Sequence, residues 1–242
     1  DNKRLIFVNI DITDLDNLKK YFKNIDIVFH LAALADIVPS IEKPQEYFST
    51  NVTGTFNVLN LCKDFQIKKI IYSASSSCYG LATEIPTTEN AKIQPQYPYA
   101  LTKNLGEQLV RHWGQVYDLN YVSLRFFNVF GPRSRTSGTY GAVFGVFLAQ
   151  KLANIPFTVV GDGEQKRDFT YVLDVVDSLL SSIDNNIKNE VFNIGSGNCY
   201  SINYLIKLMG GDKVNIPKRP GEPEITFADI EKAKKILKWK PK

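Results

Sequence analysis

The 242-residue sequence holds only three cysteines, two histidines and no long apolar run, and each scarcity excludes a class of protein. A membrane-crossing helix needs roughly 20 consecutive apolar residues, and the longest runs here, such as 142–148, fall far short. With no signal-peptide pattern at the start either, the expectation is a soluble, cytoplasmic protein with no membrane partner. Cys62, Cys78 and Cys199 are widely spaced and odd in number, which argues against a disulfide framework or zinc knuckle and for reduced thiols. His30 and His112 are too few for a histidine-rich metal site, so no metal is expected. Internal repeats and low-complexity tracts are absent as well. The formal charge of +4 is modest. Much of the excess lies in Lys232, Lys234, Lys235, Lys238, Lys240 and Lys242, a solvated helix face rather than a nucleic-acid patch with interleaved exposed aromatics.

What is present is a hydrophobic content of 44%, of which aromatics make up a good part, enough for a sizeable core. Strand-like apolar runs at 5–8, 26–31, 69–74, 122–128, 157–159 and 191–194 alternate with helix-length amphipathic segments at 15–22, 44–63, 98–116, 142–153 and 173–183. That alternation is the pattern of parallel β-α-β units, so the fold class is α/β. From about Arg133 onward the segments shorten and Gly and Pro become frequent, predicting a smaller, loop-rich lobe over 133–242, with some segments returning to the sheet built by 1–132.

Chemistry concentrates in two places. Tyr99-Ala100-Leu101-Thr102-Lys103 puts a phenol and an ammonium four apart, on one face of a predicted helix. An ammonium beside a phenol favours phenolate and suits the pair to removing a proton from an alcohol, although the same spacing also fits an ordinary helix face. About two dozen residues earlier, the strand Ile70-Ile71-Tyr72-Ser73-Ala74-Ser75 ends in hydroxyls that continue through Ser76 and Ser77. Ligands of open α/β sheets bind at the carboxyl ends of strands, where Ser75 can hydrogen-bond the oxygen that Tyr99 attacks; a polar loop is the plainer alternative.

A Ser followed by a Tyr-x-x-x-Lys helix resembles the catalytic signature of extended short-chain dehydrogenase/reductases, in particular the NAD-dependent epimerase/dehydratase family. Further segments match in the family's order. Asp11-Ile12 resembles its adenine-contacting aspartate and neighbour, His30-Leu31-Ala32-Ala33 the turn beneath the dinucleotide, and Asn51 the helix asparagine near the cofactor. Arg125-Phe126-Phe127-Asn128 resembles the strand whose asparagine touches the sugar diphosphate, and Arg167 and Arg219 resemble its two phosphate-gripping arginines. Guanidinium groups suit that task because they stay ionised and bind phosphate oxygens bidentately.

The resemblance implies a Rossmann-like doubly wound sheet, with Ser75, Tyr99 and Lys103 catalytic. NAD is implied as cofactor, held by Asp11, Ile12, Leu31, Ala32, Ala33, Asn51, Ser73, Tyr99 and Lys103. A UDP-sugar is implied as substrate, held by Ser75, Ser76, Ser77, Asn128, Arg167, Arg219 and Thr226. The family's dehydratases carry an acidic pair just after the catalytic hydroxyl, where this sequence has Ser76 and Ser77. The implied reaction is therefore epimerisation at C4 of a UDP-hexose. A dehydratase or reductase of the same family and a noncatalytic dinucleotide-sensing protein are the alternatives. A homodimer through the helices near 44–63 and 98–116 is also expected. The family's Gly-x-x-Gly-x-x-Gly after an opening strand is missing, so about two β-α units, roughly 50 residues, are expected to be absent by this resemblance, and the chain by itself is expected to be a poor epimerase.

Overall fold

The computed structural model describes residues 4–134, 136, 143–218 and 222–242. In chain order it has α1 (Leu15–Lys19), β1 (Ile27–His30), α2 (Ile37–Glu42), α3 (Pro44–Phe48), a π-helical stretch (Ser49–Gly54), α4 (Thr55–Asp64) and β2 (Lys69–Ser75). A 3-10 turn (Ser76–Tyr79), α5 (Pro98–Tyr117), β3 (Asn120–Phe126), β4 (Val129–Phe130), α6 (Val143–Leu152) and β5 (Phe157–Val160) follow. The chain continues through β6 (Lys166–Arg167), β7 (Thr170–Tyr171), α7 (Val172–Ser181) and β8 (Glu190–Ile194). It ends with β9 (Tyr200–Ser201), α8 (Ile202–Met209), β10 (Lys213–Ile216) and a π-helical turn (Ala233–Leu237).

The main sheet is parallel throughout, in the order β1-β2-β3-β8. Each crossover between its strands contains helix, as parallel pairing requires. β2 is buried on both faces, which is why it reads as a near-continuous apolar run. Its alternation still sorts the core. Ile70, Tyr72 and Ala74 pack with Val58, Leu59 and Leu61 of α4 and Val110 and Trp113 of α5 on one face. Ile71 points to the other face, with Val122, Leu124, Val175, Leu179, Phe192 and the C-terminal Leu237 and Trp239. A separate cluster of Phe147, Phe157, Val159, Ile202, Leu205 and Ile206 holds α6, β5 and α8 together.

The sheet strands and long helices thus fall where the sequence pattern predicts them, with three differences. Residues 5–8 form no strand; no partner among the described residues supplies a ladder, and Leu5, Ile6 and Phe7 are exposed. The helix expected over 44–63 is broken into α3, the π-helical stretch and α4, and α2 precedes it. The sequence pattern did not predict α8, β10 or the short strands β4, β6, β7 and β9, and the two-residue strands are too brief to show a period.

Helix α5 starts with Pro98 in its first turn, where a missing N–H costs nothing, and ends at Asp118 in the left-handed conformation at φ 54°. Its buried face runs Ala100, Lys103, Gly106, Glu107, Val110, Trp113 and Gly114, a 3–4 residue spacing. Gly106 lets the helix lie close on β2, because a Cβ there would collide with the Tyr72 phenol. That phenol in turn donates to the Lys103 carbonyl at 3.2 Å. Gly106→Ala is therefore expected to lose about 1–3 kcal/mol through overpacking, despite alanine's better helix propensity. Urea unfolding measures this, and a variant as stable as the wild type would contradict the close contact.

Candidate active site

The parallel register aligns Ser75 with Phe126 and Phe126 with Ile194, so the loops leaving β2, β3 and β8 emerge side by side. The Ser75 side chain caps the following 3-10 turn, accepting from the Ser77 N–H at 3.2 Å, and it lies close enough to the Tyr99 phenol to lower the phenol's pKa. Tyr99 also stacks on Tyr97, with centroids 6.5 Å apart and planes within 6°, and meets Tyr47 edge-on. One turn further along α5, the buried Lys103 ammonium lies 4.5 Å from the centre of the Tyr72 ring. The structure thus brings Ser75, Tyr99 and Lys103 together.

Their electrostatics differ from the sequence expectation. Lys103 was expected to depress the Tyr99 pKa; instead burial pushes the phenol up to about 12, with the nearby Ser75 hydroxyl pulling it partly back. Burial also lowers Lys103 to about 7, against the opposing pull of Glu107 one turn on. Desolvation therefore outweighs the pair's mutual influence. His30, behind the pair, is buried against Thr55 Oγ1 at 2.9 Å and is lowered to about 3, so it stays neutral.

Five of the residues predicted to bind substrate, Ser76, Ser77, Asn128, Arg167 and Thr226, line one cavity of about 330 Å³. Arg219 lies outside the described residues. Asn128 donates its amide to Thr226 Oγ1 at 2.8 Å and to the Asp168 carbonyl at 3.2 Å. What it offers a ligand is its acceptor oxygen, which suits a hydroxyl better than a phosphate oxygen. Buried Asp168 holds this wall in place by accepting from the N–H groups of Ser196 and Ala228 and from the Ser196 hydroxyl.

Sequence reasoning missed two further members of the cavity wall. Tyr97 lines the cavity beside Ser77, and Glu222 pairs with the Arg167 guanidinium at 2.7 Å. Among the described residues, the other oxygen of Glu222 is buried with no hydrogen-bond partner. Tyr97 adjoins the Tyr99 motif, so a search for aromatic neighbours would have found it. No sequence signal pairs Arg167 with Glu222, 55 positions away.

The residues predicted to hold a dinucleotide lie on the other side of Tyr99 and Lys103, around the loop after β1. Asn51 is buried and clamps that loop, accepting from the Leu34 N–H at 2.8 Å while donating to the Leu34 carbonyl and Thr102. Leu31 and Ala32 are exposed and Ala33 half-buried beside it. Ile12 fills the space over Gly54, where an added Cβ would come within 2.6 Å of it. Exposed Asp11 accepts from the Thr13 N–H and hydroxyl, both on one carboxylate oxygen, and its pKa is lowered by those bonds. Ser73 is half-buried in β2. A rim carboxylate, small residues along the floor and an inner ammonium fit a flat ligand carrying ribose hydroxyls.

The shifted Lys103 sets a pH dependence. From about pH 7 to 10 the unfolded chain carries a Lys103 proton that the native state lacks, so this group makes the native state more stable as pH rises. Above about pH 10 the raised Tyr99 reverses the slope, because the native state then keeps a proton that the unfolded chain loses. Lys103→Met should therefore stabilise the fold more at about pH 7 than at about pH 9.5, by roughly 2 kcal/mol. Chemical unfolding of both proteins at the two pH values measures the difference. An identical effect at both would mean that the native Lys103 titrates normally.

Comparison with known proteins agrees with this geometry. Residues 1–195 match the model of the NAD dependent epimerase/dehydratase family. The solved UDP-N-acetylglucosamine 4-epimerase of Methanobrevibacter ruminantium M1, in complex with UDP-N-acetylmuramic acid, superposes with a TM-score of 0.95 at 34% identity, covering 100% of this chain and 79% of that one. The Thermotoga maritima UDP-glucose 4-epimerase with UDP-glucose gives 0.94 at 33% identity, covering 100% and 81%. The Bacillus cereus UDP-glucuronic acid 4-epimerase, in complex with UDP-glucuronic acid and NAD, gives 0.89 at 34%, covering 100% and 78%. With the ordered motifs, the parallel sheet and the Ser75, Tyr99 and Lys103 cluster, the chain belongs to the NAD dependent epimerase/dehydratase family.

Proposed function

We propose that this chain carries the active site of an NAD-dependent epimerase acting at C4 of a UDP-hexose, through a 4-keto sugar. The observation that carries this reading is the meeting of Ser75, at the carboxyl end of β2, with Tyr99 in the first turn of α5, with Lys103 one turn on and the substrate cavity alongside. Ser76 and Ser77 in the cavity wall support simple oxidation and reduction over elimination, which would need carboxylates there.

NAD, when bound, supplies the hydride acceptor and donor and a positively charged ring that favours phenolate. Asp11, Ile12, Leu31, Ala32, Ala33, Asn51, Ser73, Tyr99 and Lys103 would hold it. Tyr99 takes the proton of the sugar 4-hydroxyl and returns it at the end of the cycle, while Ser75, already fixed by the Ser77 N–H, aligns that oxygen. Arg167, with Arg219, would bind the diphosphate, with Glu222 giving up or sharing its guanidinium. We assign 1–132 to cofactor binding and catalysis and 133–242 mainly to the substrate lobe. β8 and the C-terminal turn, which pack into the main sheet, support the return of some later segments to it.

A homodimer is part of this reading. Exposed Phe48, Phe56 and Leu101 on α3, α4 and α5, beside a groove lined by Val52, Leu105, Leu109 and His112, support pairing through those helices. Among the described residues no helix is long and apolar enough to cross a membrane, and the free Cys62, Cys78 and Cys199 suit a reducing cytoplasm.

Incubating the full-length gene product and NAD with UDP-glucose, UDP-N-acetylglucosamine and UDP-glucuronate, and resolving the sugars by NMR, should yield the C4 epimer of at least one. Tyr99→Phe should lose about 10²-fold or more in kcat while retaining the cofactor. No epimer from any UDP-hexose, or near-normal turnover in Tyr99→Phe, would refute the assignment. The small Thr226 in the cavity wall leads to a second expectation, that N-acetylated UDP-hexoses are accepted beside plain ones. Thr226→Tyr should then reduce kcat/KM for UDP-N-acetylglucosamine selectively, by steric exclusion. An unchanged ratio against UDP-glucose would remove Thr226 from substrate selection.

A further inference from the structure

Behind the catalytic residues lies a buried polar network with Arg125 of β3 at its centre. Its Nε and one terminal nitrogen grip the two oxygens of Glu107, at 2.9 and 2.6 Å. The other terminal nitrogen donates to the Tyr79 hydroxyl at 2.8 Å and to the Glu89 carbonyl at 3.0 Å. Glu107 also accepts from Ser123 at 3.1 Å, and Tyr79 donates to Asn193 of β8 at 2.6 Å. Arg125, Glu107, Tyr79 and Asn193 are all buried.

Two of these partners belong to the two halves of the catalytic group. Glu107 follows Tyr99 and Lys103 at four-residue steps along one face of α5. Tyr79 closes the 3-10 turn that Ser75 opens. We propose that Arg125 is a positioning residue for this reaction, its guanidinium tying the helix of Tyr99 and Lys103 to the turn of Ser75 so that hydroxyl and phenol keep their spacing.

The fork geometry suits this task. A planar guanidinium bound at both oxygens of one carboxylate fixes direction as well as distance, which a lysine or an apolar side chain cannot do. A buried ion pair carries a desolvation cost that an apolar pair of similar volume avoids, so what it contributes is geometry more than stability. Glu107 has a second effect, because its charge opposes the loss of the Lys103 proton.

This role presupposes C4 epimerisation, so wild-type turnover is the control. Tyr79→Phe removes one hydroxyl and leaves the ring and the Arg125–Glu107 pair. It should lower kcat about 10-fold with KM for the UDP-sugar within about twofold, since small misplacement acts on the reacting geometry more than on binding. A double variant, Arg125→Met with Glu107→Leu, should fold with bound NAD and lose about 10²-fold or more in kcat. If the double variant does not fold, Tyr79→Phe decides. An unchanged kcat in Tyr79→Phe, or kcat and KM worsening together with loss of NAD, would overturn the positioning role while leaving the epimerase reading intact. No turnover in the wild type would remove both.

Discussion

The close seating of α5 on β2 is the constraint on which the rest of the site depends. Ser75 ends the strand, Tyr99 sits in the first turn of the helix, and the two side chains meet only if the elements lie nearly in contact. Gly106 permits that approach, and Tyr72 uses it, reaching across to the Lys103 carbonyl while its ring lies under the Lys103 ammonium. The parallel order of β1, β2, β3 and β8 then sets the remaining loops around the same point. Asn128 leaves one neighbouring strand, and Ser196, which anchors Asp168 and the Thr226 wall, leaves the next.

Such a site must keep charged and polar groups out of water, and the structure does so in two distinct ways. Arg125 and Glu107 are charged and fully paired, and Asp168 is offset by several donors. Lys103 is different, because its contact with an aromatic face does not compensate for desolvation, and its proton is held only weakly near neutral pH. A group so poised responds readily to a bound ligand. The same burial favours a protonated Tyr99 phenol, so under the proposed mechanism NAD, when bound, would supply positive charge that favours phenolate where Lys103 alone does not.

The main sheet was legible in the sequence because a doubly buried strand such as β2 leaves an apolar run, and α5 because its buried positions recur every three or four residues. That Ser75, Tyr99 and Lys103 come together was legible from a hydroxyl at the carboxyl end of an apolar strand and a Tyr and Lys four apart on a helix face. What stayed hidden depends on tertiary contact. Residues 5–8 have the composition of a strand, yet extended pairing needs a partner that composition cannot supply. The sign of the Tyr99 shift depends on how far burial goes, not on the identity of its neighbour four residues on. The Arg167–Glu222 pair joins residues 55 positions apart across the cavity, and the Arg125–Glu107 pair joins a strand to a helix.

The central claim is that the C4 hydrogen leaves the sugar and returns to the same carbon within one active site. The most direct measurement uses a UDP-hexose deuterated at C4, turned over by the full-length protein in ordinary water, with product and recovered substrate analysed by NMR and mass spectrometry. The account predicts that the label stays at C4 in both epimers and that none reaches solvent. Washout of the label to water at C4 would contradict it, because the inversion would then proceed by proton exchange and not by hydride transfer.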